Sequence, residues 1–308
     1  MVKYLKTSSK RLSEGGIVLK RFFNPKLMLI ASMTTFGTIG LFVKNIPLSS
    51  SEIALYRAIL ASLLIYAFLL IKRERFCWND VKKEIPILFI SGAAIGFNWI
   101  LLFEAYKYTT VSIATLSYYF APVIVTLVCP ILFKEKMGAK QWLCFAMSTL
   151  GIALITGFDI SSGGNHFIGI LLGLSAACLY ASVILLNKYI KKTGDIHRTL
   201  LQFLATSVVL FPYVLLTDGI NITSLNLKGW IFLLTVGLIH TGITYCMYFS
   251  SLKSLTGQQT AILSYIDPLV AVLISVFILK ESITPVQILG GILILGFTLY
   301  NEIPSRKK

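Results

Sequence analysis

The 308-residue chain is 56% hydrophobic and only 13% charged, whereas a soluble domain carries about a quarter charged residues. Its mean hydropathy is +0.79. That composition excludes an ordinary soluble globule and predicts an all-α integral membrane protein. The formal net charge of +15 would suit nucleic acid, but the basic residues lie in short runs between apolar segments and not on one amphipathic face. Membrane topology accounts for them, and no nucleic-acid partner is expected.

In chain order, Met1 to Lys26 is basic and polar, with no apolar core followed by a small-residue cleavage site, and reads as a cytoplasmic tail, not a signal peptide. Apolar runs near the 20 or so residues that span a hydrocarbon core then follow one another. They cover Leu27 to Val43, Ile53 to Ile71, Ile85 to Tyr106, Val111 to Phe133, Gln141 to Phe158, Ile168 to Asn187, Thr199 to Leu216, Trp230 to Ser250, Gln258 to Leu279 and Val286 to Tyr300. About ten helices result, with nothing left over for a soluble domain. Cys77, Cys129, Cys144, Cys178 and Cys246 form no CxxC motif and no Cys/His pair at metal spacing. They read as small core residues, with no metal and no cofactor expected.

Lys and Arg collect in alternate connections. The N-tail, the loop with Lys72, Arg73, Arg75, Lys82 and Lys83, the loop with Lys134, Lys136 and Lys140, the loop with Lys188, Lys191, Lys192 and Arg198, and the tail 306–308 fall on one side. The other loops hold little beyond Lys44, Lys107, Asp159, Asp218, Lys228 and Lys280. Both termini are therefore expected in the cytoplasm.

The chain also repeats itself. Laying the stretch from Phe103 over the stretch from Phe249 pairs, in one ungapped register, Lys107 with Lys253, Thr110 with Thr256, Tyr119 with Tyr265, Pro122 with Pro268, Lys134 with Lys280, Glu135 with Glu281 and Gln141 with Gln287. Gly96 pairs with Gly242 further back. Two halves of five helices follow, residues 27–158 and 159–303 between short basic tails, and an odd number per half turns the second half upside down. The Lys-Glu pair ending the fourth helix then lies inside and its counterpart after the ninth lies outside, each expected to be a local charge pair. Inverted repeats suit secondary transport, because two similar halves that exchange conformations exchange an inward cavity for an outward one.

With "NWILLFEAYKYTTVSIATLSYYFAPVIV" and "FKEK" downstream, with "HTGITYCMYFSSLKSLTGQQTAILSYIDPLVAVLISVFILKE", and with Arg57 in "SSEIALYRAILASLL", the sequence resembles the EamA-type exporters of the drug/metabolite transporter superfamily. The resemblance covers nearly all of the chain outside the N-tail. It implies ten helices in two EamA repeats, a bacterial inner-membrane location, a central cavity and transport by alternating access. Members handle amino acids, other metabolites, drugs and nucleotide-sugars, so the family does not choose the substrate.

Polar groups inside the spans give the site candidates. An aspartate at the centre of a span costs about 2.5 to 3.5 kcal/mol, so Asp267 in the ninth helix needs compensation. Thr260, Ser264, Asp267, Ala271 and Ser275 recur at helical spacing and form a stripe that can line a cavity. Pro268 lacks an N–H, which frees the Ser264 carbonyl, and Pro122 does the same for Tyr118. Asp267 is expected to bind an amine-bearing substrate or a coupling proton, or else to pair with a neighbouring helix. Ala121 stands at its repeat counterpart. His240, with Tyr245 beside it in the eighth helix, is a candidate relay or a neutral hydrogen-bonding residue. Arg57 and Glu104, toward outer helix ends, are expected to be mutual counterions, with contact between Arg57 and a substrate carboxylate as the other reading. Asn98, Trp99, Tyr118 and Tyr119 offer aromatic and polar contacts to a planar or cationic solute. Gly92 with Gly96 and Gly169 with Gly173 allow close helix approach.

The reading is a secondary exporter of small organic metabolites such as amino acids or drug-like amines, with small solute, protons and the lipid bilayer as partners. The alternatives are an uncoupled facilitator or lipid-linked solute flippase of the same fold, and an intramembrane enzyme. An enzyme would need paired carboxylates, a metal cluster, or a GxSxG, HExxH or phosphate-loop motif, and the sequence offers none of these.

Overall fold

A computed structural model describes residues 24–73, 78–133, 138–156, 164–252, 254–255, 260 and 263–303. The tails 1–23 and 304–308, Cys77, the pair Lys134 and Glu135, Asp159, Lys253, Thr256 and Gln258 lie outside the described residues, as does the side chain of Cys129.

The described residues are helical, with no strand among them. The elements are α1 (Pro25–Val43), α2 (Ser50–Lys72), α3 (Ile85–Tyr108), α4 (Val111–Tyr118 continued by Ala121–Phe133), α5 (Ala139–Thr156), α6 (Gly164–Asn187), α7 (Asp195–Thr217), α8 (Leu227–Ser251), α9 (Ile266–Ile278) and α10 (Pro285–Glu302). Seven are long and apolar enough to cross a membrane; α9 and α10 are shorter and apolar. This is a multi-pass membrane protein.

Local chemistry fixes the helix ends. Asn24 caps α1 with Pro25 in its first turn, Ser49 and Glu52 form a capping box at α2, and Thr284 with Gln287 forms another at α10. Arg73 closes α2 at φ 53° and Lys280 follows α9 at φ 58°, so basic residues occupy left-handed positions where the helix dipole favours positive charge.

Packing follows the internal repeat. Helix α6 lies against α3 and α4, as α1 lies against α8 and α9. Helices α3 and α7 touch, as α8 and α2 do, while α2 with α7, α4 with α9 and α5 with α10 meet their own counterparts. Exchanging each helix with its partner five places on reproduces the set. The correspondence reaches side chains: a Cβ on Gly96 would stand 3.0 Å from Leu210 Cγ, and one on Gly242 would stand 3.2 Å from Leu64 Cδ1. Each residue of the first contact is displaced by one repeat in the second, from 96 to 242 and from 210 back to 64.

Buried carboxylates clasp the halves together at both ends. At the end with the basic loops, Glu84 before α3 accepts the Lys191, Lys192 and Thr193 amides at 2.8, 3.0 and 3.0 Å and the Thr193 hydroxyl at 2.7 Å. At the opposite end Glu52 accepts the Asn221 amide at 2.7 Å, and Glu281 takes the Val111 amide at 2.8 Å. Glu281 also pairs with Lys44. The expected local Lys-Glu pair is corrected here: the described partner of Glu281 is a lysine of the other half, because the carboxylate turns toward the exposed amides that begin α4.

Burial alone would raise the Glu84 pKa, but the hydroxyl and the three amides outweigh it and hold the carboxyl at about 2. A depressed folded-state pKa contributes stability that is complete above the ordinary glutamate range and lost as pH falls toward 2. Glu84→Gln is therefore expected to lower stability at pH 7 by about 2 kcal/mol, with the deficit narrowing below about pH 4.5. Thermal unfolding in detergent across pH 3 to 7 checks this.

Candidate functional site

Helices α4 and α9 carry interruptions that match in the repeat, midway along α4 and just before the start of α9. Helix α4 breaks into a turn at Tyr119 and Phe120, just before Pro122, and a turn at Tyr265 precedes Pro268 at the start of α9. Each proline removes a backbone donor and clashes with the carbonyl one turn back, so the breaks follow from the sequence. The Tyr119 hydroxyl donates to Asp267 Oδ2 at 2.6 Å and lies 3.5 Å from the Ser264 carbonyl that Pro268 frees. A phenol on α4 thus compensates the carboxylate on α9, a charge-assisted bond that crosses the repeat boundary.

Arg57 lies on α2, 3% exposed. Its Nε donates to Thr241 at 3.0 Å and its guanidinium sits 3.9 Å from the centre of the Trp99 ring, with Phe103 at 5.3 Å. No carboxylate lies within ion-pair distance among the described residues. The expected Arg57–Glu104 pair is therefore corrected. Glu104 instead binds Lys107, one turn on in its own helix, at 2.8 Å and Ser50 at 2.7 Å. A guanidinium over an indole gains about 2 kcal/mol when desolvated, which offsets part of its burial and leaves a cation with unused donors.

Tyrosines fill the space between these two groups. Tyr106, Tyr118 and Tyr245 lie within electrostatic reach of both Arg57 and Asp267. Tyr118 stacks near Tyr180 at 5.3 Å and Tyr119 at 6.1 Å, and Tyr245 meets Phe36 and Phe203 at 5.1 and 5.2 Å. Asp267, Tyr118, Tyr119 and Tyr245 are only half-buried. Trp99 packs on Phe203, and Asn98 donates to the Ala176 carbonyl at 2.6 Å, so Asn98 ties α3 to α6.

His240 belongs to a different junction. Its Nε2 is 2.9 Å from the Thr38 hydroxyl and its Nδ1 is 3.2 Å from the Thr235 carbonyl, with Phe42 edge-on at 4.8 Å. The carbonyl five residues back is within reach because Thr235–Ile243 is π-helical. His240 and Asp267 share no hydrogen bond. They are linked through consecutive residues of α1, where Thr38 meets His240 and Gly37 backs onto the Asp267 carbonyl. The sequence reading missed Gly37 and Thr38, although "TTFGTIG" is a polar, glycine-bearing patch inside a span. It also missed Thr241 as the ligand of Arg57 and Tyr106 as a neighbour of both charges.

With this arrangement in view, the model of the EamA-like transporter family matches residues 25–157 and again 167–301. The chain belongs to that family. An uncharacterized transporter YxxF of Bacillus subtilis is 29% identical over 259 residues, 80% of this chain and 79% of its own length. An uncharacterized transporter of Archaeoglobus fulgidus is 26% identical over 88% of this chain and 93% of that one, and Protein PecM of Dickeya dadantii is 25% identical over 68% and 71%. One solved crystal structure matches with a TM-score of 0.62 at 16% identity, covering 89% of this chain and 95% of the other, and so shares the fold. The EamA-like chain is thus a membrane transporter.

The approach of α1 to Asp267 is testable. A Cβ on Gly37 would stand 2.5 Å from the Asp267 carbonyl oxygen and 2.7 Å from Val270 Cβ. Gly37→Ala is expected to push α9 away at a cost of about 1 to 3 kcal/mol, seen as a lower melting temperature in detergent. Gly296→Ala, where a Cβ meets nothing within 4 Å, should leave it unchanged.

Proposed function

We propose that this transporter exports small amine-bearing organic solutes, amino acids among them, by alternating access and in exchange for protons. The observation that carries the reading is one buried cation and one half-buried carboxylate, Arg57 and Asp267, that share tyrosine neighbours and form no ion pair among the described residues. An ammonium group fits Asp267 and the freed Ser264 carbonyl beside it. A carboxylate fits the unused guanidinium donors of Arg57, and the tyrosine faces suit the apolar or cationic remainder.

The coupling follows from competition for one charge. Asp267 is compensated by a phenol alone, so a proton and an ammonium group can each neutralise it and neither can bind while the other is there. Loading with substrate on one side and with a proton on the other gives obligatory exchange. The matched breaks in α4 and α9 serve as hinges, and the two-fold packing lets one half adopt the conformation of the other. The one-sided basic loops support an inner-membrane protein with both termini in the cytoplasm.

The test is accumulation of a labelled mixture of amino acids by proteoliposomes, with and without a pH gradient. Wild type should accumulate one or more solutes only with the gradient, and Asp267→Asn should lose at least tenfold of that accumulation. Arg57→Lys, which keeps the charge but not the fork, should raise KM for carboxylate-bearing solutes about tenfold or more. Gradient-independent equilibration by wild type would mark an uncoupled facilitator, and full accumulation by Asp267→Asn would remove the coupling role.

A further inference from the structure

A row of hydroxyls between α4 and α9 is left unused by the substrate site. It starts at the outer end, where Glu281 accepts the Ser275 hydroxyl at 2.5 Å and the Val111 amide at 2.8 Å and pairs with Lys44. Ser275 Oγ in turn accepts the Ser112 amide at 3.3 Å. Next along α4 come the side-chain hydroxyls of Ser112 and Thr115, 0% and 5% exposed; Ser112 Oγ has no hydrogen-bond partner among the described residues, and Thr115 Oγ1 has none at close hydrogen-bond distance and interacts with the Tyr106 hydroxyl. The row ends where Tyr119 donates to Asp267.

Helical spacing places these groups in one row. Ser112 and Tyr119 are seven residues apart and share the face of α4 that meets α9, and Thr115 lies between them. On α9, Asp267 and Ser275 are eight residues apart, about 12 Å along the axis. Tyr106, 3% exposed at the end of α3, lies within electrostatic reach of both Asp267 and Glu281. Neighbouring hydroxyls one helical turn apart, about 5 to 6 Å, are spanned by a single water.

These hydroxyls need a reason. Serine and threonine inside a helix ordinarily donate to the carbonyl one turn back, as Thr126, Thr149 and Ser182 do here. Thr115 turns to the Tyr106 hydroxyl instead, and Ser112, in the first turn of α4, has no carbonyl of its own helix one turn back; a buried unpaired donor such as Ser112 is costly unless it has work. We propose that Ser275, Ser112, Thr115 and Tyr119 form a proton path joining Glu281 at the outer end to Asp267. The inference rests on the reading of Asp267 as the proton carrier.

Each step balances. A proton from outer water adds to the Glu281 carboxylate and displaces Lys44. The acid passes that proton to the Ser275 oxygen while the Ser275 hydroxyl releases its own onward, so every hydroxyl and every water between ends as it began. Asp267 gains one proton and Glu281 returns to its anion. Among the described residues, the charged and titratable groups by the path are Lys44 from α1 and Lys280, next to Glu281 in sequence, at the outer end, with Tyr106 from α3, Tyr118 from α4, Tyr180 from α6 and Tyr245 from α8 around Asp267 and Arg57 from α2 beside those tyrosines.

The experiment is rapid-scan infrared spectroscopy of full-length protein in oriented proteoliposomes after acidification of the outer medium. It follows the protonated-carboxyl band that Asp267→Asn removes. Ser112→Ala/Thr115→Val should slow the rise of that band at least tenfold. Thr115→Ser, which keeps the hydroxyl, should match wild type. So should Ser117→Ala, a buried unpaired serine that faces α6 instead, where a Cβ added to Gly173 would stand 3.0 Å from the Ser117 Cβ. If the double variant does not fold, Thr115→Val against Thr115→Ser gives the same contrast. A double variant as fast as wild type overturns the path while leaving Asp267 as carrier. Absence of any carboxyl band specific to Asp267 overturns both.

Discussion

Placing charge in hydrocarbon is the constraint around which this molecule is arranged, and the Tyr119–Asp267 bond is where it is met most directly. A carboxylate in the middle of a span is tolerated because a phenol from the other half of the chain reaches it, and the phenol is in place because Pro122 and Pro268 interrupt their helices at matching heights. Arg57 meets the same constraint by different means, lying over an indole and held by one hydroxyl from α8. Both solutions commit residues of both repeats, so holding charge inside the bundle and holding the halves together are one problem.

The clasps at the helix ends repeat this logic with backbone amides. Glu84 gathers three consecutive amides of the connection between α6 and α7, and Glu281 takes the first amide of α4. A carboxylate in such a place satisfies donors that a helix start or a tight loop cannot satisfy itself. Each clasp joins one half to the other at one end of the bundle, so the proposed alternating access would require the two ends to loosen in turn. The clasps are built from hydrogen bonds, which can break and re-form without exposing apolar core.

Helix count, approximate limits and internal repeat were legible because each rests on local signals: apolar run length, loop charge and an ungapped register of shared residues. Asp267, Tyr119 and the freed Ser264 carbonyl were legible as well, since a proline and an acid inside a span are conspicuous. The pairings across the bundle were not. Arg57 and Glu104 looked complementary in sequence, yet Lys107 lies one turn from Glu104 and Trp99 lies under Arg57. The site of His240 was hidden for another reason. Its bond to the Thr235 carbonyl depends on a π-helical stretch, and helical periodicity read from apolar residues cannot reveal a five-residue offset.

Ala121 occupies, in the first half, the place that Asp267 holds in the second. The backbone is thus close to self-symmetric while its chemistry is not. Under the proposed alternating access, an exchange of shapes between the halves would pass access to the carboxylate from one side to the other with no equivalent group passing back. The energetic inequality between the two end states would then be set by whatever that one side chain is holding.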